Sequence, residues 1–94
     1  MEITELIIHI DAFHREFNID TSPDARFNKL IEETCELICA VQNESSEAAD
    51  DEAIDVLVCA ISNVVARGIV NPLDACYFKL QRTAAKYRSR NREI

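Results

Sequence analysis

The 94-residue chain has one glycine, two prolines and no tryptophan. So few turn-forming residues exclude an all-β fold, which needs many tight turns. Without Trp, and with 6% aromatics, the core has to come from aliphatic side chains. No repeat, no low-complexity stretch and no apolar run long enough for a membrane span is visible; the longest, Val56 to Ala66, is broken by Ser62 and Asn63. What is abundant is Ala, Leu, Ile, Glu and Arg, which suits long helices. The length fits a single domain over residues 1–94.

The net charge of −7 hides an asymmetry: 15 of the 17 acids lie between Glu2 and Asp55, and six of the ten bases between Lys79 and Arg92. An acidic body with a basic end points either to a polyanion contact or to a solvated helix that balances the body. Cys35, Cys39, Cys59 and Cys76 match no zinc spacing and sit among apolar neighbours. They read as free, buried small hydrophobes in a soluble protein of the reducing cytoplasm, since no secretory leader opens the chain.

Punctuation divides the sequence into four helical segments, at 2–18, 23–43, 47–67 and 72–90. Ser22-Pro23-Asp24 and Asn71-Pro72-Leu73-Asp74 each read as a cap, a first-position proline and an early acid. Asn43-Glu44-Ser45-Ser46 is a polar loop with capping serines, and Gly68 stands where a left-handed residue ends a helix. The first segment is amphipathic through Ile3, Leu6, Ile7, Ile10, Phe13 and Phe17. His9 and His14 lie at or off that face and read as structural or exposed.

The chemistry concentrates in the middle. On the second segment Lys29, Glu32, Glu33, Glu36 and Asn43 fall in one strip about a third of the circumference wide at roughly 100° per residue. Apolar residues, with Thr34, cover nearly all the rest, so this helix is expected to be largely buried. From Ala53 to Ala66 the third segment has only Asp55, Ser62 and Asn63 as polar residues, and Glu52 lies one turn earlier on their face. Asp55 is therefore expected as an acid within an apolar helix, in need of a cation, a proton or strong donors.

Glu33 with Glu36, and Glu52 with Asp55, are two pairs at i, i+3. Each pair shares one side of its helix. If the helices pack antiparallel, four carboxylates converge, and hard oxygen ligands select Mg²⁺ or Mn²⁺. Surface acids in salt bridges would explain a single E-E-x-x-E. They do not explain a second pair placed on so apolar a helix.

Glu32-Glu33-Thr34-Cys35-Glu36 followed by Glu52-Ala53-Ile54-Asp55 resembles the E-E-x-x-E…E-x-x-D signature of the MazG-like all-α NTP pyrophosphohydrolases. That superfamily includes dimeric dUTPases, dCTP pyrophosphatases and phosphoribosyl-ATP pyrophosphohydrolases. The context Lys29-Leu30-Ile31 and the Phe13-His14 region before a Pro-containing loop are also similar, so the likeness runs along essentially the whole chain. It implies that Glu33, Glu36, Glu52 and Asp55 hold Mg²⁺ (or Mn²⁺) against the phosphates of a nucleoside triphosphate. It implies that Glu32 orients or deprotonates the attacking water, and that cleavage between α- and β-phosphates gives a monophosphate and pyrophosphate, as in nucleotide-pool cleansing. Lys79, Arg82 and Lys86 lie along one side of the fourth segment, where bases can hold the outgoing pyrophosphate. Thr83 and Lys86 stand where the family often has Asn and Arg.

The expected architecture is an all-α domain of about four helices, a bundle completed by homo-oligomerisation as a dimer or tetramer, because one short chain cannot cover two nearly all-apolar helices. Two alternatives accompany this reading. One is a phosphoribosyl-ATP pyrophosphohydrolase using the same carboxylates. The other is a non-catalytic helical module whose basic end binds a polyanion such as RNA, although few stacking platforms such as Tyr77 and Tyr87 accompany the late bases, which argues against nucleic acid.

Overall fold

The computed structural model describes residues 1–92. Four helices follow one another: α1 (Ile3–Glu16), α2 (Pro23–Asn43), α3 (Ser46–Ala66) and α4 (Pro72–Arg92), with no strand among the described residues. The chain is all-α, as the composition predicts, and α2 and α4 begin at the two prolines. Ser22 caps α2 by accepting the Ala25 amide at 3.3 Å, and Ser45 caps α3 by accepting that of Ala48 at 3.2 Å.

The helix bounds depart from expectation by one or two residues: α1 starts one residue late and stops at Glu16 rather than 18, α3 is shifted by one residue, and α4 runs on to Arg92 rather than 90. Asn18 takes a left-handed φ of 51°, its amide donating to the Arg15 carbonyl and that of Ile19 to the His14 carbonyl at 2.8 Å. This paired closure is the Schellman motif, with Asn in the place usually held by glycine. Gly68, at φ 83°, closes α3 in the same way through Val65 and Val64. A Cβ on Gly68 would meet nothing within 4 Å, so the requirement there is conformational rather than steric.

The α2 and α3 helices form an antiparallel hairpin across Glu44-Ser45, and α3 is the central element, touching α1 and α4 as well. The predicted burial of α2 and α3 does not hold within one chain. Val41 is 65% exposed and Ile54 60%, and among the described residues no large side chain is fully buried and Ala40 and Pro72 are the buried apolar residues. The cysteines are free but not buried: Cys35, Cys39 and Cys76 are exposed and Cys59 is half-buried. The physical reason is size. A compact monomer of 10.7 kDa exposes about 5,500 Å² and one of 94 residues has a radius of gyration of about 12 Å. This chain exposes 7378 Å² with a radius of 16.3 Å.

Candidate functional site

The hairpin register sets Glu36 of α2 against Glu52 of α3, with Glu33 one turn along α2. Carboxylate oxygens of Glu33, Glu36 and Glu52 all lie within 4.8 Å of one another. Glu33 is buried, Glu52 half-buried and Glu36 exposed. Glu36 titrates above the ordinary value of 4.5, first because of its hydrogen bond with Glu33 and the charge there, with Glu52 and Glu32 adding to the effect. Oε2 of Glu33 and Oε2 of Glu52 are sealed from solvent and have no hydrogen-bond partner. Leaving such an oxygen unsatisfied costs about 1–3 kcal/mol or more. A cation between them removes that cost, and an all-oxygen donor set suits a hard divalent ion. The residues present therefore fit a metal ion.

One positive charge is built into the cluster. Lys29 Nζ lies 3.1 Å from Glu33 Oε1 and 3.5 Å from Glu32 Oε1. The Glu33 hydrogen bond raises the Lys29 pKa, so the ammonium stays charged beside the acids. Glu32 itself stands outside the three-carboxylate cluster, exposed to solvent and held by Lys29.

Asp55 differs from expectation. It is exposed rather than buried in an apolar surround, and it lies outside the 4.8 Å group. It lines, with Glu33 and Lys29, a cleft of about 590 Å³ between α1, α2 and α3. On α4, Lys79, Arg82 and Lys86 are exposed, and no ion pair among the described residues joins them to the carboxylates. Within one chain the structure does not bring them to the cluster.

Two residues gain importance that sequence reasoning did not give them. His14 is buried, and its Nε2 lies 3.5 Å from the buried Ser62 Oγ, linking α1 to α3 across 48 residues of sequence. The isolated Ser62 in an apolar run was the available signal. Arg26, in the second turn of α2, is also buried, and its Nε donates to the Asp20 carbonyl at 2.9 Å. Both side chains line the same cleft as Glu33.

Burial depresses the His14 pKa below 6.5, the Arg26 charge depresses it further, and Asp11 opposes them. The folded chain thus binds fewer protons at His14 than the unfolded chain does. Stability from this group is fully present above 6.5 and is lost as pH falls through the folded value below it. Melting temperatures are expected to drop over that window, and His14→Gln to flatten the drop; an unchanged slope in the variant would assign the pH dependence to other groups.

A family model described as phosphoribosyl-ATP pyrophosphohydrolase matches residues 10–84. The matched stretch runs from within α1 into α4 and contains Glu32, the carboxylate cluster, Asp55, Lys79 and Arg82; Lys86 lies beyond it. No curated protein and no solved structure matches the chain.

Proposed function

The chain belongs to the phosphoribosyl-ATP pyrophosphohydrolase family, within the MazG-like all-α superfamily, and on that premise we propose that it hydrolyses the α–β anhydride of a nucleotide bearing a 5′-triphosphate, releasing pyrophosphate. The family is one of hydrolases acting on phosphoric anhydride bonds, which sets aside a purely non-catalytic module. The observation that carries the reading is the convergence of Glu33, Glu36 and Glu52, two of them with buried oxygens lacking any donor.

These three residues would hold Mg²⁺, or Mn²⁺ in its place, with Asp55 closing the set from the next turn of α3. When bound, the cation supplies charge neutralisation on the phosphates and polarises the reacting group. Glu32, tethered by Lys29 beside the cluster, is the group we assign to accept the proton of the attacking water. The cleft bordered by Phe13, His9 and His14 receives the nucleoside. Lys79, Arg82 and Lys86 are assigned to the leaving pyrophosphate, contributed by α4 of a neighbouring copy. Such sharing would also cover the apolar faces that one chain leaves open, in a dimer or tetramer.

Two substrates share this reaction. A free nucleoside triphosphate would make the enzyme a cleanser of nucleotide pools; phosphoribosyl-ATP is favoured by the description of the matching family. No helix of the described residues is long and apolar enough to cross a membrane. Pyrophosphate release from phosphoribosyl-ATP and a panel of triphosphates, with and without Mg²⁺, tests the proposal. Metal-dependent formation of a monophosphate and pyrophosphate is expected; no release from any of them by folded protein would sink it.

A further inference from the structure

Arg26 is only 9% exposed, yet it makes no ion pair among the described residues, where the paired bases are Arg15 and Lys29. Its one hydrogen bond runs from Nε to the neutral Asp20 carbonyl. The two terminal guanidinium nitrogens have no partner, and neither is sealed from open space. The exposed Asp20 carboxylate feels the Arg26 charge without forming an ion pair with it; a buried charge with no contacting counter-charge is costly, and the planar guanidinium fork matches a phosphate.

Two clefts meet at this side chain. Arg26, His14 and Ser62 line the 590 Å³ cleft that contains Glu33, and also a second one of about 340 Å³ with Thr21, Ile7 and Ile61. Asp11 also lines the second cleft, its carboxylate paired with Arg15 at 2.5 Å, and the Asp20 carboxylate, which feels the Arg26 charge, accepts the Ser22 amide at 2.9 Å. Thr21 adds a hydroxyl to the lining. Arg26 precedes Glu33 by seven residues, two turns of α2 and roughly 10 Å along the axis. That spacing leaves room for a second anion at Arg26 beside a triphosphate seated on the carboxylates.

We infer that Arg26 is the centre of a second anion site, opening on the smaller cleft, that takes a phosphate monoester at the far end of the nucleotide, as on a phosphoribosyl substituent. The inference rests on the pyrophosphohydrolase reading for where the rest of the substrate lies, and it makes Arg26 the residue that separates a nucleotide phosphorylated at both ends from a simple triphosphate.

The test begins with the unmodified chain in metal-free, phosphate-free buffer, titrated with ribose 5-phosphate and followed by NMR of ¹⁵N-labelled arginine side chains. The Arg26 Nε–H signal is expected to shift saturably, with ribose lacking the phosphate inert. Arg26→Gln is expected to weaken ribose 5-phosphate binding at least tenfold and to lower the kcat/KM ratio of phosphoribosyl-ATP to ATP by a similar factor, with Arg26→Lys intermediate. Because Arg26→Gln also loses the tie to Asp20, the titration of the unmodified chain decides the matter if that variant does not fold. An Arg26 signal indifferent to ribose 5-phosphate, or folded Arg26→Gln binding it undiminished, would overturn the site. Saturable binding at Arg26 without turnover of any nucleotide would support the site and count against the hydrolytic reading instead.

Discussion

Glu33→Gln is expected to lower metal-dependent pyrophosphate release by roughly a thousandfold in kcat/KM while leaving the metal-free chain folded. A thousandfold corresponds to about 4 kcal/mol of transition-state stabilisation, within the several kcal/mol a metal supplies against developing charge. Glu33 is the buried member of the cluster, its Oε2 has no donor, and the amide that replaces it offers a single neutral oxygen toward a cation. Stability should respond differently. The variant loses the ion pair with Lys29 but also alters the hydrogen bond, and removes the charge, that raise the Glu36 pKa, so the changes oppose each other. Steady-state pyrophosphate release, calorimetric Mn²⁺ binding and melting without metal read the three quantities separately. Activity within tenfold of the unmodified chain would remove Glu33 from the site.

The same electrostatics fixes a pH dependence. Because the folded Glu36 binds its proton more tightly than the unfolded one, its contribution to metal-free stability is present at low pH and is lost as pH rises through the folded value, above 4.5. A cation must displace that proton, so its affinity should increase with pH over the same window.

The chain is expected to sediment as a dimer or tetramer at micromolar concentration, with a melting temperature that rises with concentration. Its exposed area exceeds that of a compact monomer of its mass by roughly 1,900 Å². That is about what each partner contributes to an obligate homodimer interface. The excess is apolar where it matters: Ile38, Val41, Ile54 and Leu57 on the hairpin, and Leu73, Tyr77, Phe78 and Leu80 on α4, are all exposed in one chain. Leu57→Asp would place a charge on that surface and is expected to dissociate the assembly and lower the melting temperature by ten degrees or more, about the effect of several kcal/mol in so small a chain. A stable monomer by sedimentation equilibrium, or a melting curve independent of concentration, would overturn the expectation.

The helices were readable because their signals are local. Pro23, Pro72, Ser22, Ser45 and Gly68 act within one turn, and each marks its boundary in the structure as in the sequence. Asn18 ended α1 early because a left-handed asparagine announces itself far less than a glycine. The approach of Glu33, Glu36 and Glu52 was readable for a similar reason: helical spacing fixes a face, and a short hairpin leaves one way to bring two faces together. The His14–Ser62 contact was not, since it arises where α1 meets α3 and nothing in either segment encodes the meeting; nor was the burial of Arg26 on α2, which depends on the way the α1–α2 connection folds back onto it. Asp55 and the cysteines were misjudged on a shared assumption, that apolar sequence neighbours mean burial by the same chain.

The two-residue link Glu44-Ser45 serves as a ruler. It leaves Glu36 and Glu52 at matched heights on the two arms of the hairpin, so the carboxylates are aligned by counting residues rather than by any contact made at the cluster itself. Seven residues added to each arm would carry both sides outward together, about 10.5 Å, with a rotational drift near 20° per arm. Seven added to one arm alone would keep each helix face oriented and still pull the acids apart by that distance. Length variation in this chain is therefore tolerable in the middle of the sequence only when it is symmetric about Glu44-Ser45, a constraint no individual residue reveals.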